Sequence, residues 1–173
     1  MQSMTNEEAR EYCGELREQL QLADDDSLSF DDEKSFCIQS PTSYRDLAFV
    51  SRELAECAID GGLLWLQLWY VGAEGVMEVG QHIIESMRKA TGDSHDLNAA
   101  PAQLFAQGET LELQCALMQV LGNGWSGYLI PADAKYVFGF RTSHRFFCYS
   151  DSSSELDYLR SKFQPWLSIE VTN

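Results

Sequence analysis

One stretch of the sequence decides the fold: residues 61–72 read GGLLWLQLWYVG, an apolar run with one Gln and with glycine at both ends. A membrane-spanning helix needs about 20 consecutive apolar residues, so this run is too short to be one. Its length, its aromatic residues and its flanking glycines are typical of a strand that is buried on both faces of a sheet. We therefore predict a central strand here, with Trp65 and Trp69 sharing one face.

Helical spacing of apolar residues recurs outside this strand. Two capping boxes mark helix starts, Thr5 with Glu8 and Ser152 with Glu155, in which each side chain bonds the other residue's backbone amide. The segment 110–121 is apolar on nearly all sides, which predicts a helix buried on nearly all sides. The predicted helices cover residues 5–22, 43–60, 73–92, 110–121 and 152–165.

Strand patterns complete the fold class. We expect α+β: one mixed, largely antiparallel sheet with a C-terminal β-meander, covered by helices. The order strand, helix, strand between residues 35 and 71 also allows a crossover between two parallel strands. Residues 93–103 read as a loop, and the pair at 104–105 as its anchor to the core. The remaining strands are predicted at residues 35–39, 125–130, 136–140 and 146–149, with an edge strand at 166–171.

Length and charge limit the functions that are open to the chain. Its 173 residues, 45% of them hydrophobic, are expected to form one domain over residues 1–173. The formal net charge is −15, from 27 acidic and 12 basic residues. Such a surface repels nucleic acid phosphates and anionic lipid, so we expect neither direct nucleic acid binding nor membrane binding. The charge either attracts a basic protein or serves only solubility.

The excess acid is concentrated at the start of the chain. Residues 1–33, predicted as an acidic helix and loop, hold eleven acidic residues against two arginines, a net charge of −9. This clustering favours a surface for a basic partner over diffuse solubility. The candidate partner-binding residues are Glu11, Glu15, Glu18, Asp24, Asp25, Asp26, Asp31 and Asp32.

The five cysteines are odd in number, widely spaced and mostly set in apolar sequence, so we interpret them as small core residues. No Cys-x-x-Cys pair is present, and the chain begins with polar residues where a signal peptide would have an apolar core. A reducing cytoplasm is the expected compartment. No motif for a metal, nucleotide or other cofactor is found, and weak metal candidates remain at His95-Asp96 and at His82 with Glu78 or Glu85.

The sequence contains candidate residues for catalysis and for anion binding. No nucleophile elbow of the Gly-x-Ser-x-Gly type is present, and the expectation is that the protein is not an enzyme. A small hydrolase that uses Cys or carboxylates, with His95 or His144 as its base, is an alternative. Arg141, His144 and Arg145 form a basic spot that either receives a carboxylate or phosphate or pairs with the protein's own acids, and we favour the second reading.

Five short motifs lie between residues 60 and 145: GLLWL at 62–66, AP at 100–101, LF at 104–105, GWSGYLIP at 124–131 and SH at 143–144. Together they resemble a group of short, uncharacterised bacterial α+β proteins. The resemblance implies a fold with glycine and tryptophan at strand entries and implies no activity. It does not extend to the acidic first third of the chain.

The function expected from these observations is non-catalytic capture of a basic protein by the acidic N-terminal region. Small acidic bacterial proteins without enzyme motifs are typical of immunity or inhibitor proteins, whose carboxylates speed the capture of a basic toxin domain. DNA mimicry is an alternative, in which the same carboxylates imitate phosphates and occupy a DNA-binding protein.

Overall fold

The computed structural model describes residues 1–20, 34–67, 77–141 and 145–167, with the backbone alone at 15–20 and 77–79. Seven strands and five helices are numbered in chain order. The strands are β1 (Gln2–Met4), β2 (Ser35–Gln39), β3 (Gly61–Leu66), β4 (Ala102–Ala106), β5 (Gly127–Pro131), β6 (Val137–Arg141) and β7 (Arg145–Tyr149). The helices are α1 (Asn6–Leu20), α2 (Tyr44–Cys57), α3 (Met77–Ala90), α4 (Thr110–Asn123) and α5 (Ser153–Phe163), the last followed by a 3-10 turn at Gln164–Trp166.

All seven strands join one sheet in the order β1-β4-β3-β5-β6-β7-β2. Every pairing between neighbouring strands is antiparallel. β5, β6 and β7 form a C-terminal β-meander, so the predicted α+β class with a largely antiparallel sheet is confirmed. β2 and β3 run in the same direction but are separated by β5, β6 and β7, so the parallel pair that the sequence allowed between them does not form.

β3 lies inside the sheet, between β4 and β5, and all six of its residues are buried. Its two glycines are required by the close approach of these neighbours. A Cβ atom at Gly61, where φ is +102°, would lie 2.5 Å from the carbonyl oxygen of Phe105, and one at Gly62 would lie 2.7 Å from that of Ile130. The central strand is therefore confirmed for residues 61–66, and the rest of the predicted strand, residues 68–72, lies outside the described residues.

The side chains of the sheet alternate between two faces, which we call the first face and the second face. On the first face, Leu64, Leu129 and Phe138 belong to the larger core cluster, to which helices α2, α3, α4 and α5 contribute. On the second face, a smaller cluster includes Trp65 and Val137 together with residues of α1.

Helix starts follow the predicted caps. The amide of Thr5 donates to Glu8 Oε2 (2.7 Å), and the amide of Glu8 donates back to Thr5 Oγ1 (3.3 Å). Ser43 accepts the amide of Asp46 at the start of α2, and Ser152 accepts that of Glu155 at the start of α5. These bonds satisfy amides that have no partner inside a helix.

Three expectations from the sequence are corrected. β1 and β4 were not predicted, and β4 occupies the end of the segment 93–103 and the pair at 104–105 that were read as a loop and its anchor. α4 is buried on one side only, because Leu111 is 67% exposed while Leu113 and Leu117 are buried. The helical spacing of Ile83 and Met87 predicts that these residues lie on the buried side of α3, but Ile83 is exposed and Ile84 is buried, so the buried side is turned relative to the prediction.

The C-terminal edge is described only in part. Leu167 makes one antiparallel bridge to Ile38 of β2, and residues 168–171 of the predicted edge strand lie outside the described residues. None of the described helices combines the length and the apolar character that crossing a membrane requires.

Candidate functional site

The carboxylates predicted to bind a partner begin in α1. Glu11 is exposed on this helix, and Glu15 and Glu18 belong to it. The five aspartates of the prediction lie outside the described residues; they are Asp24, Asp25, Asp26, Asp31 and Asp32. The structure therefore describes the start of the predicted acidic surface.

The described start of α1 is two-sided. Ala9 and Cys13, four residues apart, are buried against the second face of the sheet. Glu7 and Glu11, also four residues apart, are exposed, and neither has a partner among the described residues. Because residues at this spacing share one side of a helix, α1 turns its apolar side to the sheet and leaves these two carboxylates to the solvent.

A polar cleft of about 440 Å³ lies beside the first turn of α1. β1 and the segment that follows α3 form its walls. Two carboxylates, one imidazole and several hydroxyl groups line it, and the polar side chains that matter for its chemistry are Ser3, Thr5, Glu8, Asp93 and His95.

Asp93 joins the two walls of the cleft. Its Oδ2 accepts the backbone amide of Ser3 (2.8 Å), and its Oδ1 accepts the amide (3.0 Å) of His95 and contacts the ring Nδ1 of the same residue (2.8 Å). Burial of the Asp93 carboxyl opposes its ionisation, but the hydrogen bonds from Ser3 and His95 outweigh burial and hold the pKa of Asp93 well below its ordinary value. Asp93 is therefore a carboxylate that ties the edge strand β1 to the segment after α3.

The imidazole of His95 has both of its described partners on one nitrogen. Nδ1 lies 2.8 Å from Asp93 Oδ1 and 3.2 Å from Ser3 Oγ. In a Ser-His-Asp triad the carboxylate and the hydroxyl bond to different ring nitrogens, because the base takes the proton of the hydroxyl on the nitrogen that the carboxylate leaves free. Ser3 is therefore not placed as a nucleophile for His95, although Asp93 orients the ring as a carboxylate orients a base.

Arg88, in the last turn of α3, binds the segment between α3 and β4 that carries Asp93 and His95. Its side chain is fully buried. Its Nε donates to Gln103 Oε1 and its Nη2 to the carbonyl oxygen of Ala100, both at 2.7 Å. Weaker bonds of 3.3 to 3.4 Å reach the carbonyl oxygens of His95, Asp96 and Ala102.

A buried cation with these partners orders the segment between α3 and β4. Burial lowers the pKa of Arg88, and the carboxylates of Asp93, Glu85 and Asp96 oppose that change. All five acceptors within hydrogen-bond distance are neutral, so the guanidinium serves to satisfy backbone carbonyls of a loop that has no ladder of its own. Arg88 therefore positions the loop that carries Asp93 and His95.

The sequence contains a signal for the burial of Arg88. Arg88 follows Ile84 by four residues, so a helix whose buried side includes Ile84 also turns Arg88 inward. The predicted stripe passed through Ile83 and Met87 instead, which left Arg88 on the solvent side. Asp93 gave no signal, because its partners Ser3 and His95 come together only when β1 joins β4.

No protein-family model matches this chain. No curated protein and no solved structure is significantly similar to it. Function is therefore argued from the residues and their geometry, and the resemblance over about residues 60–145 stays a prediction.

The cysteines carry free thiols. Cys13, Cys57 and Cys148 are buried, as expected of small core residues, whereas Cys37 and Cys115 are half-buried. Burial raises the pKa of the Cys57 thiol to about 11 and also raises that of Cys148, so neither is a thiolate at neutral pH.

Of the metal candidates, Nδ1 of exposed His82 lies 3.7 Å from Oε2 of half-buried Glu85, and the side chain of Glu78 lies outside the described part of the chain. Within the described ranges, no three side chains of His, Cys, Asp or Glu are grouped closely enough to hold a metal ion. Of the basic spot, Arg141 and Arg145 are exposed, and His144 lies outside the described residues.

Proposed function

We propose that this protein is a non-catalytic binding protein that captures a basic protein through the acidic side of α1 and the segment that follows it. The observation that carries the proposal is the two-sided start of α1. Ala9 and Cys13 occupy the side that packs on the sheet, while Glu7 and Glu11 are exposed and unpaired within the described part of the chain. These carboxylates have no described role in the fold.

Charge favours a basic protein as the partner. A net charge of −15 disfavours contact with phosphates and anionic lipid and steers cationic surfaces toward the molecule. Carboxylates presented on a helix contribute more to the rate and selectivity of association than to its final affinity. A bacterial toxin or effector domain with a basic active surface is the partner that we propose, which makes this chain an immunity or inhibitor protein of the cytoplasm.

The test uses two variants of equal charge. In E7Q/E11Q, the two exposed carboxylates of α1 are neutralised, and in the control E112Q/D157N two exposed carboxylates of α4 and α5 are neutralised instead. Each variant changes the net charge from −15 to −13. Wild type and both variants are immobilised and exposed to a lysate of the cells that make the protein, at about 50 mM and about 500 mM salt, where screening differs several-fold.

We expect the wild type and the control to retain the same basic protein at low salt and to lose it at high salt. E7Q/E11Q should retain less of it, with a slower association rate in a subsequent kinetic measurement. A partner that is retained equally by both variants, or at both salt concentrations, would contradict capture by the acidic side of α1.

DNA mimicry predicts a different outcome in the same experiment. The retained protein would then be a DNA-binding protein, and duplex DNA would compete with the immobilised chain for it. A complex that forms equally well with the DNA already bound would exclude this alternative.

A small hydrolase is the second candidate, and one contact favours it. Asp93 Oδ1 lies 2.8 Å from Nδ1 of His95 in a polar cleft, which leaves the other ring nitrogen free to act as a base toward water or a substrate. The described thiols of Cys57 and Cys148 do not supply the nucleophile, because burial raises their pKa. If an H95A variant is as active in the cell as the wild type, His95 is not the base of a hydrolase.

A further inference from the structure

The hairpin of β6 and β7 places two arginines directly opposite each other. Arg141 is the last residue of β6 and pairs with Arg145, the first residue of β7. Opposed residues of an antiparallel pair have their Cα atoms about 4.5 to 5.5 Å apart and their side chains on the same side of the sheet. Both arginines are exposed, at the end of the second face.

Among the described residues, the two arginines have no counter-charge, although the protein is strongly acidic. Several described cations reach a carboxylate, such as Lys34 with Asp151 at 2.6 Å and Lys162 with Glu53 at 3.1 Å. The side chains of Arg141 and Arg145 make no ion pair and no hydrogen bond within the described ranges. On the other side of Arg145, its cross-strand partner in β2 is Gln39, which is neutral.

One of the two guanidinium groups is already held in place. Arg141 lies over the ring of Phe147, with its central carbon 5.8 Å from the ring centroid. Phe147 follows Arg145 by two residues and so shares its face of β7. The cation–π contact holds the head group of Arg141 over the face of β7 that also carries Arg145, so two positive charges share this end of the hairpin and repel each other.

We propose that Arg141 and Arg145 bind an oxyanion, a phosphate or carboxylate group, between their guanidinium groups. Such a group accepts paired hydrogen bonds from guanidinium forks and cancels the repulsion of two like charges across the hairpin. The site is distinct from the acidic side of α1, so this proposal does not depend on the proposed capture of a basic partner and is tested separately.

The experiment follows inorganic phosphate, acetate and chloride at equal ionic strength, with the side-chain NMR signals of arginine and the thermal midpoint as readouts. R141Q/R145Q removes both guanidinium groups. The control R45Q/K89Q removes two exposed cations that also lack ion pairs among the described residues and lie elsewhere on the surface. Because all four residues are exposed, both variants should fold, and a backbone amide spectrum checks this.

We expect saturable phosphate binding and a raised thermal midpoint for the wild type and for the control. R141Q/R145Q should bind at least about ten-fold more weakly, which is the loss of one charge-assisted hydrogen bond or more. R141K/R145K should also bind more weakly, because lysine lacks the planar fork. Acetate compared with phosphate then identifies a carboxylate or a phosphate as the preferred group.

Two results would overturn the proposal. Phosphate effects that do not saturate, or that are equal in R141Q/R145Q and R45Q/K89Q, would show ion screening alone. A change in sedimentation from dimer to monomer in R141Q/R145Q, without any change in phosphate binding, would assign the arginines to contacts between two copies of the chain.

Discussion

The first face of the sheet is covered by four helices, whereas in the described residues the second face is covered by α1 alone. The first face carries a core of aliphatic and aromatic side chains, among them Phe138, Phe146 and Phe163, whose rings meet edge to face. The second face has a smaller cluster, in which the indole N–H of Trp65 donates to Asn6 Oδ1 of α1 (2.9 Å). The two faces thus differ in what stabilises the packing on them. The first face is stabilised mainly by buried apolar area, and the second face has a smaller buried area together with a directed hydrogen bond.

The side of the sheet that provides most of the stability is also not the side that carries the proposed binding surfaces. Both proposed binding surfaces are on the second side of the sheet, the acidic side of α1 over its middle and the arginine pair at the end of β6 and β7. The thick layer of helices on the first face provides most of the buried area and hence most of the hydrophobic stabilisation. Charged groups on the second side can therefore vary without loss of the fold.

The largest expected effect concerns Arg88, on the first face. Arg88→Ala removes a fully buried side chain and the five hydrogen bonds that it donates. The cost of breaking such a buried polar network is about 3 to 5 kcal/mol of unfolding free energy. Urea unfolding measures it, with Arg45→Ala as the control, since Arg45 is exposed and has no ion pair among the residues that the structure describes. A loss below about 1 kcal/mol would mean that the segment after α3 is ordered by other contacts.

The second largest effect is expected for Trp65, on the second face of the sheet. Trp65→Ala removes the indole ring of a residue that is 9% exposed. The centroid of this ring lies 6.5 Å from that of the Tyr128 ring. We expect a loss of about 3 kcal/mol, at the lower end of the range for a buried tryptophan, because one helix covers this face. Asn6→Ala, which removes the acceptor of the indole N–H and leaves the ring, should cost about 1 kcal/mol. Near-neutral Trp65→Ala would refute the assignment of residues 61–66 as the central strand.

Sequence patterns predicted the parts of this fold that local chemistry determines. The central strand, the meander and the capping boxes at Thr5 and Ser152 depend on nearby residues, and the structure confirms them. β1 and β4 were missed because each is short, polar in part and stable only through its pairing partner. A three-residue strand such as Gln2–Met4 has no periodicity to detect, so only the assembled sheet defines it.

The candidate site was predictable to a smaller extent. An excess of carboxylates near the start of the chain is visible in the sequence, but the cleft beside it depends on Asp93 and Ser3, which are 90 residues apart. A buried Arg88 runs against the usual exposure of arginine, so a pattern based on apolar residues passed over it. Arg141 and Arg145 have no carboxylate beside them in the described ranges, and the expectation that they pair with the protein's own acids stays a prediction for the acids outside those ranges.

A third, smaller effect concerns the joint between β1 and the segment after α3. Asp93→Asn should cost about 2 kcal/mol at neutral pH, because hydrogen bonds to a carboxylate become bonds to a neutral amide. The pKa of Asp93 is lowered in the folded protein, so its contribution is complete above the ordinary aspartate pKa of about 4 and is lost as the pH falls from there toward the folded pKa.

Urea unfolding of the wild type and of Asp93→Asn, from pH 7 down to pH 3, measures this contribution. The difference in unfolding free energy between the two proteins should be constant above about pH 5 and should shrink below about pH 4. A difference that stays constant over the whole range would show that the Asp93 carboxylate is not stabilised by Ser3 and His95.

The smallest effect is expected on the acidic side of α1. Glu7 lies in the first turn, where a negative charge interacts favourably with the positive end of the helix, and E7Q/E11Q removes that interaction. The same substitution reduces the self-repulsion of a chain with a net charge of −15, which acts in the opposite direction. We therefore expect the unfolding free energy to change by less than about 0.5 kcal/mol, whereas Thr5→Ala, which removes the cap of the same helix, should cost about 1 kcal/mol. A loss in E7Q/E11Q as large as that in Thr5→Ala would show that these carboxylates stabilise the fold, which would contradict a role reserved for a partner.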